Sequence, residues 1–537
     1  MRTAFQRVPA GVAQGHARTR IKSFAAPTKG WVSAQNLANA IPGTALVLEN
    51  WYPTQKSIRL RSGSLKHATV GTEPVETLMA YIGATRKLFA ASDGSVYNVT
   101  TVADPDVPPA ADFSGQTSDY YGWVNFATTA GLYMYIVNGS DSARLYDGTT
   151  WTAITGVSVP AITGVTTSTL SHVWSYRNRL FFIQGGTMNA WALPVASLGG
   201  AAIQINLGGI FKRGGTLLLG ATWSLDSGDG LDDKCVFITT EGEVAIYEGS
   251  DPSDPSDWSI VGRYDMSPPL GKNAVMQAGG DLLVATESGL IPVSAAINRD
   301  PAALPLAGVS QAIQPDWIAD ATERRSLPWE IAKWTVRGKA IVSTPVTGDN
   351  STTPPQCYVV NLETGAWCKY TGWDTRTVVL HDDFVYFGTN DGTVMQAEIT
   401  GFDDGELIYH NCVLSFDHFD RVGFYKTALE MRATFVTQTN FNPKLSVSTD
   451  YAISLSSAPD AATDSNSPGV WDVGLWDVAL WDTGAAQFNV QTYWTGVGLS
   501  GTVHAPQVQV TSGSDQSPSG ELVIMDVKID DGDDTGS

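Results

Sequence analysis

The chain is 537 residues long, 43% hydrophobic and 16% charged, with 53 Gly and 27 Pro, a profile that suits many strands and turns and not long helices. A formal net charge of −21 excludes a protein that grips nucleic acid by neutralising phosphates with a basic face, although an acidic wall suits DNA that slides past without sticking. Four cysteines are too few for a disulfide scaffold, and neither an apolar signal-peptide core nor a run of about 18 apolar residues is present, so a secreted or membrane-spanning design is not expected.

Residues 1–30 carry Arg2, Arg7, Arg18, Arg20, Lys22 and Lys29 and no acid, which predicts an extended basic arm, either docked on an acidic neighbouring subunit or left as a disordered end. Residues 31–64 hold LVLENWYP and then IRLRSGS. The alternation of Ile58 and Leu60 with Arg59 and Arg61 reads as a half-exposed strand, and Pro53 separates it from the strand before. These strands are expected to join a platform further along the chain, and IRLRSGS is also a candidate for the strand that closes the domain between.

From 65 to 400 one unit recurs: a short β-branched and aromatic run, a turn containing Gly, and a second run. Its clearest copies are VFITTEGEVAIYEG and GGDLLVATESGLIPVS, on either side of SDPSDPSDWSIVGRYDMSPPLGKNAV. The turns fall at Asp93-Gly94, Asn138-Gly139, Gln184-Gly185, Glu241-Gly242, Ser288-Gly289, Thr347-Gly348 and Asp391-Gly392, roughly 45 to 60 residues apart, near the blade period of a propeller. A lone hairpin pair cannot bury its apolar face, whereas sheets stacked radially bury one another's. The reading is therefore an all-β chain built on a β-propeller of about six or seven blades.

After Gly401 the texture changes. GFDDGE reads as a linker, and LIYHNCVLSFDHFD, KTALEMRATFVT and PKLSVSTDYAISL read as longer strands, so residues 401–537 are expected to form a β-sandwich-like platform domain that ends in an acidic tail. Within it, VWDVGLWDVALWDTG places Trp471, Trp476 and Trp481 five residues apart. Five residues turn a helix by about 500° and alternate faces on a strand, so neither element puts all three on one side. The segment is predicted to be a loop with Trp anchors, set either into its own domain or across a subunit interface.

Chemistry-bearing patterns are sparse. Asp226, Asp229, Asp232 and Asp233 lack the spacing and terminal Glu of an EF-hand loop and read as a solvated acidic loop more than a calcium site. His410, Cys412 and His418 share parity on one strand, but His418 lies too far along it for a common zinc ion. Asp147-Gly148-Thr149-Thr150-Trp151 lacks the residue that an Asp-box places between Asp and Gly, and no Gly-X-Ser-X-Gly elbow occurs. Neither catalytic residues nor a cofactor or metal are expected. In CYVVNLETGAWC, a tight turn at Thr364-Gly365 would set Cys368 opposite Asn361 and leave Cys357 about 13 Å further on, beyond disulfide reach, so free thiols and folding in a reducing compartment are predicted.

The apolar run into Asn50-Trp51-Tyr52-Pro53 and the basic strand ending Arg61-Ser62-Gly63 carry a further signal. With them go Tyr247-Glu248-Gly249-Ser250-Asp251-Pro252, Trp258, Gly262, Pro269-Leu270-Gly271, Gly280-Asp281 and Pro292-Val293-Ser294. This pattern, over residues 30 to 400, resembles the tail nozzle proteins of short-tailed bacteriophages, also called tail tubular protein B or tail stabilisation proteins. The resemblance implies a structural virion protein at the tail tip, made in the bacterial host cytoplasm, and a homo-oligomer, a hexameric ring. Such a ring would pass phage DNA transiently and contact an upstream tail adaptor or tube protein and tail fibres or spikes. Subunit or partner contacts are expected at Trp51, Tyr52, Arg59, Arg61, Trp471, Trp476 and Trp481. The alternative is a propeller that binds glycans or proteins through loops at one face; an enzyme such as a glycosidase is the least favoured.

Overall fold

The computed structural model describes residues 19–37, 41–224, 233–346, 354–437, 442–462 and 489–531. Seven radial sheets form a β-propeller. Their innermost strands are Thr77–Tyr81, Gly122–Thr128, Leu170–Tyr176, Leu217–Trp223, Val275–Ala278, Glu330–Trp334 and Thr377–His381, and antiparallel strands step outward from each. Neighbouring blades bury each other's faces: Met79 and Phe89 of the first pack on Met134 and Ile136 of the second, and Trp174 and Phe181 of the third pack on Cys235 and Phe237 of the fourth. No sheet has to bury its apolar face alone, which is the condition that selects this architecture.

The Gly turns expected from the sequence each join the second and third strands of a blade, except Thr347-Gly348, which lies outside the described residues. At Asp93-Gly94 both residues have positive φ (49° and 66°) between the paired Ser92 and Ser95, the two-residue hairpin geometry that favours Asp-Gly. The fifth blade departs from the pattern. It has three strands, and the chain then runs through short helical turns into an α-helix, Gln314–Arg324. Strand signals dominate this region, yet the helix is written in QPDWIADATER: Pro in its first turn, Asp316 near its start, Arg324 at its end, and Trp317, Ala321 and Arg324 buried at helical spacing.

The ring closes non-covalently. Thr393–Thr400, in the seventh blade, pairs antiparallel with Gly63–Thr69, so the outermost strand of the last blade comes from the segment that precedes the first. The closing strand thus begins with Gly63-Ser64, the last two residues of IRLRSGS, and the rest of that motif goes elsewhere. Ile58–Leu60 pairs instead with Trp51–Pro53 and with Glu521–Asp530 in the platform, because Arg61 is buried at the corner where the chain changes sheets.

The platform is a two-sheet sandwich. One sheet runs Trp51–Pro53, Ile58–Leu60, Glu521–Asp530, Lys426–Thr437, Asn489–Gly501, with Thr19–Ala25 also alongside Glu521–Asp530. The other contains Ala45–Glu49, Ile408–Leu414, His504–Ser512 and Lys444–Thr449, and is continuous with the sixth blade through Ala45–Glu49 beside Trp367–Thr371. Burial alternates along Lys426–Thr437, so Ala428, Met431, Ala433 and Phe435 meet Leu445, Val447, Val508 and Val510 in the core between the sheets. The part of the basic arm that is described, Thr19–Ala25, packs on its own chain: Arg20 pairs with Asp531, and Lys22 with Asp417 and Asp420.

All four cysteines are buried free thiols. Cys368 faces Val359, not Asn361, and Cys357 faces Tyr370. The turn is wider than two residues because Asn361 Oδ1 accepts the Glu363 and Thr364 N–H groups and Asn361 N–H bonds to the Ala366 carbonyl.

Closure requires close approach at Gly63, where an added Cβ would lie 1.8 Å from the Phe402 carbonyl oxygen. Gly63→Ala is expected to lower stability by about 1–3 kcal/mol in chemical denaturation, whereas Gly209→Ala, with open space at its Cβ position, should leave the midpoint unchanged.

Candidate functional site

The contact residues expected around the Asn-Trp-Tyr-Pro motif turn inward. Trp51 is fully buried, and Tyr52 and Arg61 are buried with it, so none of the three can serve as a surface contact. They hold platform and propeller together. Arg61 makes a two-pronged ion pair with Asp403 (2.6 and 3.1 Å), donates Nε–H to Asn50 Oδ1 and a further N–H to the Thr371 carbonyl. Trp373 Nε1–H and the Ser64 N–H also donate to Asp403, whose carboxyl stays below its ordinary range: burial raises it, and the Arg61 charge and these donors outweigh that. Tyr52 donates its hydroxyl to the Gly338 carbonyl. Arg59 alone keeps a partly exposed position, its guanidinium 5.0 Å from the Tyr52 ring, in a cleft with Lys56, Arg337 and Glu363. Trp471, Trp476 and Trp481 lie outside the described residues.

A second feature sits on the propeller axis, where all seven innermost strands contribute to a pocket of about 390 Å³. Its wall is mostly apolar, with Leu78, Val173, Ala221, Met276, Ile331 and Val378 among the lining residues. Its floor is a belt of buried polar groups. Lys272 reaches across the axis from the fifth blade and donates to the carbonyls of Tyr120 (2.8 Å) and Ser171 (3.0 Å) at the entries to the second and third. Asn273 donates to Glu330 Oε1, and the other Glu330 oxygen accepts from Thr377 Oγ1–H and the Val378 N–H. Thr377 Oγ1 in turn accepts the Leu78 N–H, while His172 Nε2–H donates to the Gly220 carbonyl.

This belt ties neighbouring and opposite blades together near the starts of their innermost strands. Burial depresses the Lys272 ammonium to about 7, Glu330 opposing it only in part, and lifts the Glu330 carboxyl above its usual range. Burial, helped by the Lys272 charge, holds His172 near 4, a neutral ring. Most floor groups are already paired, and His172 Nδ1 is buried without a partner among the described residues, so the pocket offers a visitor apolar contact, shape and that one ring nitrogen.

The sequence signal for the floor is slight. Pro269-Leu270-Gly271 brings the backbone so close to Trp329 that a Cβ at Gly271 would sit 2.5 Å from its carbonyl oxygen, and that approach aims the next two residues across the axis. The other chemistry-bearing groups stay apart. His410 donates Nδ1–H to the Asn50 carbonyl, Cys412 sits in the core, and His418 meets Tyr451. Of the four clustered aspartates only Asp233 is described, and it is buried. Among the described residues no group of three His, Cys, Asp or Glu is placed to hold a metal, and no helix is long and apolar enough to cross a membrane.

No family model matches the chain, and no curated protein matches it. Among solved structures it is similar to the β-propeller domain of Cps50 (Swd1) from Myceliophteria thermophila, at 11% identity over 63% of this chain and 100% of that one, with a TM-score of 0.37. It is also similar to Saccharomyces cerevisiae Sqt1 (9% identity, 66% of this chain and 97% of that one, TM-score 0.35) and to Chaetomium thermophilum Raptor (10%, 64% and 29%, TM-score 0.37).

Lys272 binds its proton less tightly folded, near 7, than unfolded, near the ordinary 10.5, so the unfolded chain holds the extra proton between those values and stability contributed by this group rises with pH across that window. Denaturation midpoints should therefore climb from pH 7 to pH ~10 more in the wild type than in Lys272→Met. Parallel profiles would show that Lys272 is not depressed.

Proposed function

We propose that this chain works by docking and not by catalysis: the propeller is a binding module fixed to a platform that joins it to a larger assembly. The observation that carries the reading is the joint itself. The sixth blade and one platform sheet are a single eight-stranded sheet, and the Arg61 and Asp403 pair locks the two ends of the propeller segment against it. A rigid joint of this kind suits a part that must hold a fixed orientation among neighbours. The finer proposal takes the role that the resemblance around Asn50-Trp51-Tyr52-Pro53 implies: the nozzle of a short phage tail, assembled as a ring, with DNA moving along the ring axis and fibres or spikes on the outside.

Exposed apolar side chains on the platform, among them Val422, Tyr425, Trp494 and Leu499, support burial against further subunits. The side chains bonded across the propeller axis, Lys272 to the Tyr120 and Ser171 carbonyls and Asn273 to Glu330, favour DNA passing between copies and not through one propeller. To test the proposal, particles from the source lysate are banded on a density gradient and labelled with gold-tagged antibody to this chain. Label at the distal end of a short tail, in about six copies, is the expected result; chain confined to the soluble fraction would sink the nozzle role and leave the docking role standing.

The axial pocket favours a second reading, a free propeller that takes an apolar or aromatic side chain from a protein partner. In that case Thr222→Trp, at a partly exposed lining position, should weaken capture of the partner about tenfold or more without lowering the melting temperature.

A further inference from the structure

Two side-chain atoms in the lining of the axial pocket are buried without a hydrogen-bond partner among the described residues, His172 Nδ1 and Trp174 Nε1. The Trp174 N–H has the Cys235 thiol beside it, a weak acceptor that accounts for it. No such neighbour answers His172 Nδ1, in a residue that is 7% exposed. A buried polar atom left unpaired is costly, and in a pocket the cost is removed by a guest that pairs with it.

The chemistry of that nitrogen is set by the other side of its ring. Nε2 lies 2.9 Å from the Gly220 carbonyl oxygen, which can only accept, so Nε2 carries the proton. Burial and the Lys272 charge keep the ring neutral, and Nδ1 therefore presents a bare lone pair. It can accept a hydrogen bond and cannot give one. Lys272 donates instead to the Tyr120 and Ser171 carbonyls.

The chain places a glycine beside this atom. Gly122, at the start of the second blade's innermost strand, has no left-handed φ to demand glycine, yet a Cβ there would stand 3.2 Å from Nδ1 and 3.1 Å from His172 Cα. A side chain at that position would crowd the nitrogen. The rest of the wall is mostly apolar and includes the rings of Trp123 and Trp174, which suit an aromatic guest packed on their faces or edges. An aliphatic guest would leave the lone pair unpaired, and a cation would find the Glu330 oxygens already engaged by Asn273, Thr377 and the Val378 N–H. What the lining suits is a flat ring with one N–H or O–H on its edge.

We infer that the axial pocket takes the side chain of a partner's Trp or Tyr, with its ring against the apolar wall and its N–H or O–H donated to His172 Nδ1. The inference rests on the reading of the chain as a propeller that takes a side chain from a protein partner, and it adds the donor which that side chain must carry.

Equilibrium dialysis of the full chain against indole, N-methylindole and N-acetyltryptophanamide tests it, since the first two differ in the ring N–H. Indole is expected to bind at least ~10-fold more tightly than N-methylindole, N-acetyltryptophanamide to bind at least as well as indole, and Thr222→Trp to remove the binding of all three. Equal affinities for the two indoles would overturn the inference and leave the apolar docking reading standing, whereas saturable binding of neither would overturn both. Refusal of N-acetyltryptophanamide by a protein that holds indole would also overturn it, because the guest would then be a free small aromatic and not a side chain. As a second measure, nitrogen NMR on isotope-labelled histidine should show one unprotonated ring nitrogen shifting on addition of indole and not of N-methylindole. A histidine spectrum unmoved by bound indole would place the donor elsewhere and sink the inference.

Discussion

The structure depends on one pairing, that of Gly63–Thr69 with Thr393–Thr400. Each blade interface is apolar on both sides, and the interface between the seventh and first blades, with Leu78 and Leu88 against Val379 and Val394, exists only when the ring is shut. Burial of those faces cannot be completed blade by blade, because removing the closing strand exposes an edge on the last blade and loosens the faces on either side of it. The polar belt on the axis depends on the same closure. Thr377 of the last blade accepts the Leu78 N–H of the first, so the hydrogen-bond circuit is complete only in the closed ring.

Where the chain enters and leaves the propeller, burial of charge replaces burial of hydrocarbon. An unpaired guanidinium at Arg61 would cost several kcal/mol, and the site is tolerable because Asp403, Asn50 and the Thr371 carbonyl satisfy its donors. Lys339 and Glu398 repeat the device nearby, both fully enclosed with the Tyr370 hydroxyl between them. Glu398 is held below its ordinary range by the Lys339 charge against the opposing effect of burial.

Much of the fold is legible in the sequence because its signals are local. A Gly turn such as Asp93-Gly94 or Asp391-Gly392 states its own geometry, and the six turns that fall on described residues lie one to a blade. The strand after Pro53 is harder to place: Ile58, Arg59, Leu60 and Arg61 alternate as a half-exposed strand should, but nothing local says that Arg61 finds a carboxylate 342 residues away and turns inward. The contact sites are misread for the same reason. Trp51 and Tyr52 look like surface anchors only while their partners, His410 and Gly338, are invisible to a reading along the chain. Lys272 is one of many lysines until the topology sets it across the axis from Ser171.

The meeting of Gly63, Phe402 and Asp403 at one corner has a mechanical consequence. The segment leading into the seven blades and the segment leading out lie side by side, joined by the Ser64 N–H and the Arg61 guanidinium on a single carboxylate. Tension applied to the platform on either side of that corner passes across it directly and does not run around the blades. The propeller is therefore shielded from strain applied to the platform, which passes the blades by without unwinding their sheets.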